Sequence, residues 1–175
     1  MFAALGEEPD FCRWVRSLGG EATQAAPTRR GGWAGAQLVY LQAWLLLASP
    51  RKSEFRATVE AARRDGALVA LDLGDSGWIR RRGGPQTAYE LAAIHPDILM
   101  APVDAAAELG APLEGVASIP VIGLEGGGCS VHGTRLPAPA RSLDWQALAA
   151  TFCVALVEGE APVEAAGRAV VVAAR

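Results

Sequence analysis

The sequence predicts an α/β protein, three α/β/α layers built around a mainly parallel sheet. Three observations carry that expectation. From Ser49 onward, helix and strand signals alternate, a pattern that lays helices on the faces of a parallel sheet. Ala67–Leu73 (ALVALDL) is a continuous apolar run, as a strand buried on both faces requires. Two C-terminal segments, Asp144–Glu158 and Pro162–Ala174, read as helices that are apolar nearly all round, and such helices belong in a core or a subunit interface. At 175 residues the chain suits one domain over 1–175; two independent cores would be cramped.

In chain order, Phe11–Leu18 reads as a helix, Glu21–Gly35 as a linker or loop, and Gln37–Leu47 as a buried strand. Ser49 is placed to cap a helix with Pro50 at its first position. Phe55, Val59 and Ala62 share one face of it, and Gly66 ends it. Thr87–Ile94 is a second helix, stopped by His95–Pro96, and Asp97–Met100 a short strand. Pro102–Leu109 is a helix closed by Gly110, and Ile119–Leu124 a strand. After Gly126–Gly128, CSVHGTRLPAP reads as a hairpin with His132–Gly133 near its tip.

Composition excludes several function classes. The formal net charge of −3 gives no bulk electrostatic basis for binding nucleic acid or an anionic membrane. The basic clusters Arg29–Arg30, Arg63–Arg64 and Arg80–Arg82 are short and read as solvated surface. Cys12, Cys129 and Cys153 are odd in number and widely spaced, which supports neither a disulfide framework nor a zinc knuckle. Cys153, inside an apolar helix, reads as a small core residue. MFAALGEEPDF lacks the pattern of a signal peptide, and the uncharged run from Gly31 to Pro50 reads better as strand plus connection than as a membrane span. The expected setting is a reducing cytoplasm.

The segment 142–152, SLDWQALAATF, has the setting of an anion-binding helix start without its chemistry. Asp144 precedes an uncharged helix, but phosphate sites at helix starts use glycines so that bare N–H groups can approach. Here Trp145, Gln146, Ala147, Leu148, Ala149 and Ala150 fill the turn.

The order of segments resembles the PfkB (ribokinase-like) carbohydrate kinase family. FAALGEEPDFCRWVRSLGGEAT is similar to an "LGxD" turn and helix ending near "GV", and AQLVYLQAWLLLASP to the next strand and loop. EAARRDGALVALDLGD resembles "A-x-x-x-G-x-x-V-x-x-D-x-N", and HPDILMAPVDAAAELG resembles "D-I-L-x-x-N-x-x-E-A-x-x-L-G". IPVIGLEGGGCSVHG is similar to "V-x-V-T-x-G-x-x-G" with its hairpin. LDWQALAATFCVALVEGEAPVEAAGRAVVVAA lines up without a gap on "D-T-T-G-A-G-D-x-F" and the two helices behind it.

That resemblance implies a ribokinase-like core lacking the family's first strand region, with its double-glycine sugar motif, and lacking the lid, for which 21–36 is too short. It also implies lost chemistry. The family's base falls on Ala150 and its anion-hole positions on Ala147, Leu148 and Ala149, while the first Asp is kept as Asp144. The "N-x-x-E" residues tied to magnesium and phosphate fall on Pro102 and Ala105, and the nucleotide-strand Thr and Gly on Gly123 and Glu125. Losing a general base costs roughly 10²–10⁴ in rate, and an anion-hole defect roughly another 10²–10³, without strict additivity.

The expectation is therefore a non-catalytic relative of sugar kinases with a structural or ligand-sensing role and no cofactor. Two alternatives stay open: an active kinase using ATP and magnesium with Asp144 or Asp72 as displaced base, or a nucleotide-binding regulator using Gly126, Gly127 and Gly128. Those glycines either cradle a phosphate or form a turn. Asp72, at the C-terminal end of a predicted strand, either holds a ligand hydroxyl or caps its loop through Asp75–Ser76. Glu108 reads as a solvated charge on the helix face it shares with Asp104, and His95 and His132 as loop residues. Five tryptophans, Trp14, Trp33, Trp44, Trp78 and Trp145, together with a sheet stripped of its first strand and lid, predict a homodimer.

Overall fold

A computed structural model describes residues 1–5, 9–25, 35–139 and 143–174. Trp33 and Arg29–Arg30, singled out above, lie outside them, as does Ser142. The described residues form a mainly parallel eight-stranded sheet in the order β2-β1-β3-β4-β5-β6-β7-β8. The strands are β1 (Phe2–Leu5), β2 (Ala22–Ala25), β3 (Leu38–Gln42), β4 (Leu68–Asp72), β5 (Ile98–Ala101), β6 (Ile119–Gly123), β7 (Gly128–Val131) and β8 (Thr134–Pro137). Pairing is parallel from β2 through β6 and antiparallel across β6–β7–β8.

Side-chain alternation divides the core into two layers. Val39, Leu41, Val69, Leu71, Leu99 and Ala101 face a cluster shared with α2 (Ala43–Leu47), α3 (Lys52–Arg64), α4 (Gly77–Arg82), α5 (Gly84–Ile94) and α6 (Val103–Leu109). Leu38, Tyr40, Ala70, Ile98 and Met100 face a second cluster with α1 (Pro9–Ser17), α7 (Trp145–Val157) and α8 (Pro162–Ala173). Strands buried on both faces carry apolar residues at every position, which is why ALVALDL was readable as a strand. The α/β/α layering is as expected. Cys12 on α1, Cys129 on β7 and Cys153 on α7 are all buried, unbridged thiols, and Cys153 is the core residue its neighbours implied. Among the described residues no helix is long and apolar enough to cross a membrane.

Several boundaries differ from expectation for physical reasons. The strand expected over Gln37–Leu47 ends at Gln42, because Ala43-Trp44-Leu45-Leu46-Leu47 lacks β-branched residues and turns into α2. The helix expected after Ser49 begins at Lys52. Ser49 Oγ instead accepts from the Arg51 N–H at 3.2 Å within the preceding turn. The helix expected from Thr87 begins at Gly84, where a Cβ would lie 2.1 Å from the Glu108 carbonyl oxygen; only glycine lets α5 start against the end of α6. β1 and β2 were not legible: four residues each, rich in alanine, they carry little strand signal. β2 extends the main sheet beside β1, and the rest of the segment expected to be short for a lid, 26–34, lies outside the described residues. His132 and Gly133, at φ 48° and 77°, form the hairpin tip as expected.

Candidate functional site

The C-terminal ends of the parallel strands bring Gln42, Asp72 and Met100 into register, and the start of α7 lies against them. Asp72 is fully buried. Its Oδ2 accepts from the Tyr40 hydroxyl at 2.5 Å, and its Oδ1 from the Gly74 N–H at 2.8 Å. The Trp145 indole N–H lies 3.2 Å from both oxygens. The Tyr40 hydroxyl also lies 3.4 Å from Gln146 Oε1, and its ring stacks on Phe11 at 3.8 Å. Burial pushes the Asp72 carboxyl above its ordinary value, against the hydrogen bonds from Tyr40, Gly74, Trp145 and Gln146 that pull it down. The loop contact expected of Asp72 through Asp75–Ser76 is made instead with the Gly74 N–H.

The start of α7 is closed by its own cap. Asp144 is the N-cap residue; its Oδ1 accepts from the Ala147 N–H at 3.0 Å, and its carbonyl from the Leu148 N–H at 3.0 Å. Ala147, Leu148, Ala149 and Ala150 are all fully buried. The first turn of α7 therefore spends one of its orphan donors, the Ala147 N–H, on the Asp144 side chain and packs Ala147–Ala150 into the sheet-facing core. Ala150 offers no titratable group, whereas the Asp144 carboxylate is exposed.

Facing this helix is the turn joining β6 to β7. Gly126, Gly127 and Gly128 have φ of 85°, 97° and 94°, a left-handed run that L side chains resist. The Gly127 N–H is used within the turn, donating to the Leu124 carbonyl at 3.1 Å, and the Leu124 N–H donates to the Gly128 carbonyl at 3.1 Å. Between turn and helix lies a crevice of about 260 Å³. Gly74, Pro102 and Gly123 line it from the strand ends, Val103 from the start of α6, and Leu143 and Trp145 from the approach to α7. Leu124, Gly127 and Gly128 complete it from the turn.

The remaining candidates are dispersed. Glu108, expected to be a solvated charge, pairs with Arg80 at 2.5 Å. Arg82 pairs with Glu90 at 2.7 Å, and Arg63 donates to the carbonyls of Ile94 and His95. Arg63, Arg80 and Arg82 are thus each tied to a neighbour, with Arg80 still largely exposed as its surface reading expects. His95 closes α5 in a left-handed conformation. Asp104 and Glu125 are exposed. From the sequence, Tyr40 carries no site signal, Gln146 reads only as a turn-filler, and Trp145 as a turn-filler or interface aromatic. The meeting of Trp145 with Asp72 spans 73 positions and leaves no local pattern to find.

No family model matches the sequence, and no curated protein does. Solved structures do match. A probable sugar kinase from Rhizobium etli CFN 42 superposes with a TM-score of 0.72 at 14% identity, over 91% of this chain and 64% of that one. The fold is ribokinase-like. Adenosine kinase from Sinorhizobium meliloti superposes at 0.69 with 15% identity, over 98% of this chain and 70% of that one. A PfkB protein from Polaromonas sp. JS666 gives 0.62 and 19%, over 82% and 54%. This ribokinase-like chain thus spans 64% of the length of the Rhizobium protein, and at these identities the likeness is one of fold.

Proposed function

We propose that this ribokinase-fold chain does not transfer phosphate and that its crevice serves ligand binding alone. The observation that carries the reading is the closed start of α7. The Asp144 side chain already accepts from the Ala147 N–H, and side chains occupy positions 147–150, where a phosphate-binding helix start would use glycine to bare its backbone. Ala150, where the resemblance puts the base, cannot take a proton from a hydroxyl. A nucleoside triphosphate with magnesium does not fit the residues present. Among the described residues the crevice lining contains no lysine, arginine or histidine, and the exposed carboxylates of Glu125 and Asp144 adjoin it in sequence. The rival reading, an active kinase with a displaced base, draws on the exposure of Asp144. Its Oδ1 is committed to the helix cap, however, and Asp72, the other stand-in, is enclosed by its own donors.

The test is transfer of labelled γ-phosphate from ATP–magnesium to a panel of sugars and nucleosides, alongside thermal shift with ATP–magnesium and ADP. A ligand at a hundredfold excess over its Kd stabilises by about 2.7 kcal/mol, a readily measured shift. Neither transfer nor a nucleotide shift is expected. Transfer that Asp144→Asn abolishes would establish the rival.

The reading carries a homodimer and a cytoplasmic location. The dimer is supported by the two sheet edges, β2 and β8, each paired on one side only among the described residues. Tryptophan now supports it less. Trp78 is buried, and Trp14 and Trp145 are half-buried within their own chain. Light scattering at micromolar protein should give twice the chain mass, and a clean monomer sinks the dimer. The location is supported by three unbridged, buried thiols.

A further inference from the structure

We infer that the crevice at the C-terminal ends of β4–β6 is a binding site for a small aromatic molecule that carries no negative charge. The inference deepens the reading above, in which no phosphate enters here. Size comes first. The crevice holds about 260 Å³. An apolar cavity of about 150 Å³ takes benzene, and drug-sized pockets begin near about 300 Å³, so the space suits one or two fused rings.

The lining decides the chemistry. Pro102, Val103, Leu124, Leu143 and Trp145 supply apolar surface, and the other described lining residues are glycines. Val103 is 40% exposed, a large apolar side chain without full cover in this chain. Trp145 is held before any ligand arrives: its N–H engages the Asp72 carboxylate, which the Tyr40 hydroxyl and the Gly74 N–H grip in turn. A fixed indole lowers the ordering cost of binding, and ring pairs gain beyond the area they bury.

Charge disfavours anions. The Gly127 N–H is spent within its turn and the Ala147 N–H on the Asp144 cap. Glu125 follows the lining residue Leu124, and Asp144 stands between Leu143 and Trp145, both exposed carboxylates. A negative group brought here would be desolvated beside like charge, with no cation among the described lining residues to meet it.

The experiment is calorimetric titration of the full chain with 2-naphthylmethanol and with 2-naphthoate, the same two rings without and with a negative charge. Binding of the alcohol at least tenfold tighter than the carboxylate is expected. Val103→Phe, at a half-exposed position that the core does not depend on, should fill the crevice and weaken the alcohol at least tenfold. Independently of any variant, the backbone amide resonances of Gly123, Gly127 and Gly128 should move on titration of the unaltered chain. No binding of the alcohol, equal binding of the carboxylate, or unmoved glycine amides overturns the inference. If no naphthalene binds and nucleotides do not either, this inference falls and the reading of a non-transferring fold stands. ATP–magnesium moving the same amides overturns both.

Discussion

The two walls of the crevice, the start of α7 and the turn between β6 and β7, are built by opposite means. At α7 side chains have closed the backbone: Asp144 caps it, and Ala147–Ala150 are buried without remainder. Across the crevice the backbone is bare, with glycine at 126, 127 and 128. It would be natural to read the bare wall as the working one. The geometry gives those glycines a different cause. A Cβ on Gly128 would lie 2.2 Å from the Leu136 carbonyl oxygen and 2.6 Å from the Ala138 nitrogen, and one on Gly123 would lie 2.9 Å from the Val103 nitrogen. These glycines are required by close backbone packing, so their presence says nothing of a phosphate. Gly126 has open space around its missing Cβ and is held to glycine by φ alone.

Substitutions on each wall can break or sharpen that contrast. The largest effect is expected from Gly128→Ala, which combines a clash with backbone atoms and a left-handed φ of 94°. A loss of about 3–5 kcal/mol in urea unfolding is expected; a loss below about 1 kcal/mol would show that the turn is not packing-limited. Next is Asp72→Ala, which strands the Tyr40 hydroxyl, the Trp145 indole N–H and the Gly74 N–H. It should cost about 2–4 kcal/mol by the same measurement.

Asp72 also sets a pH dependence. Because burial raises its carboxyl above the unfolded value, the folded chain holds that proton to higher pH than the unfolded chain does. The stability tied to it is complete below the ordinary carboxylate range and is lost as pH rises through the raised value. Asp72→Asn should flatten that decline in unfolding curves taken from about pH 4 upward; an unchanged slope would mean the decline belongs to other groups.

Smaller effects separate the walls further. Gly126→Ala meets no atom and should lose only about 1–2 kcal/mol through its left-handed φ, well short of Gly128→Ala. Asp144→Ala removes the cap of α7 and should lose about 1 kcal/mol in the urea midpoint. Were Asp144 a catalytic carboxylate strained into place, its removal would stabilise the chain instead.

What was legible in the sequence was whatever repeats locally. Leu68–Asp72, Ile98–Ala101 and Ile119–Gly123 were read within about two residues, because buried parallel strands are uniformly apolar and the helices between them are punctuated by Gly66 and Gly110. The start of α7 was legible beside Asp144, whereas its role as the cap was not read. β1 and β2 escaped because pairing with β3 and with each other, rather than propensity, makes them strands. α4 escaped because GWIRRR has no room for a helical repeat. In the crevice, the filled positions 147–150 were readable from identity alone. The clamp of Asp72 by Tyr40 and Trp145 was not, since it is assembled from three separate elements by the sheet register and the docking of α7.

The three buried thiols give the molecule three internal clocks. Cys12 on α1, Cys129 on β7 of the hairpin and Cys153 in the middle of α7 have almost no surface. Burial raises the thiol of Cys129 to about 12 and pushes that of Cys153 up as well, with the Asp72 charge adding to the latter. A thiol reagent attacks the thiolate, so each site can react only when its own element opens to water. If α1 peels away before the hairpin, and the hairpin before α7, the three labels will appear in that order at three separate rates. A common rate would mean that helix layer and hairpin let go of the sheet together.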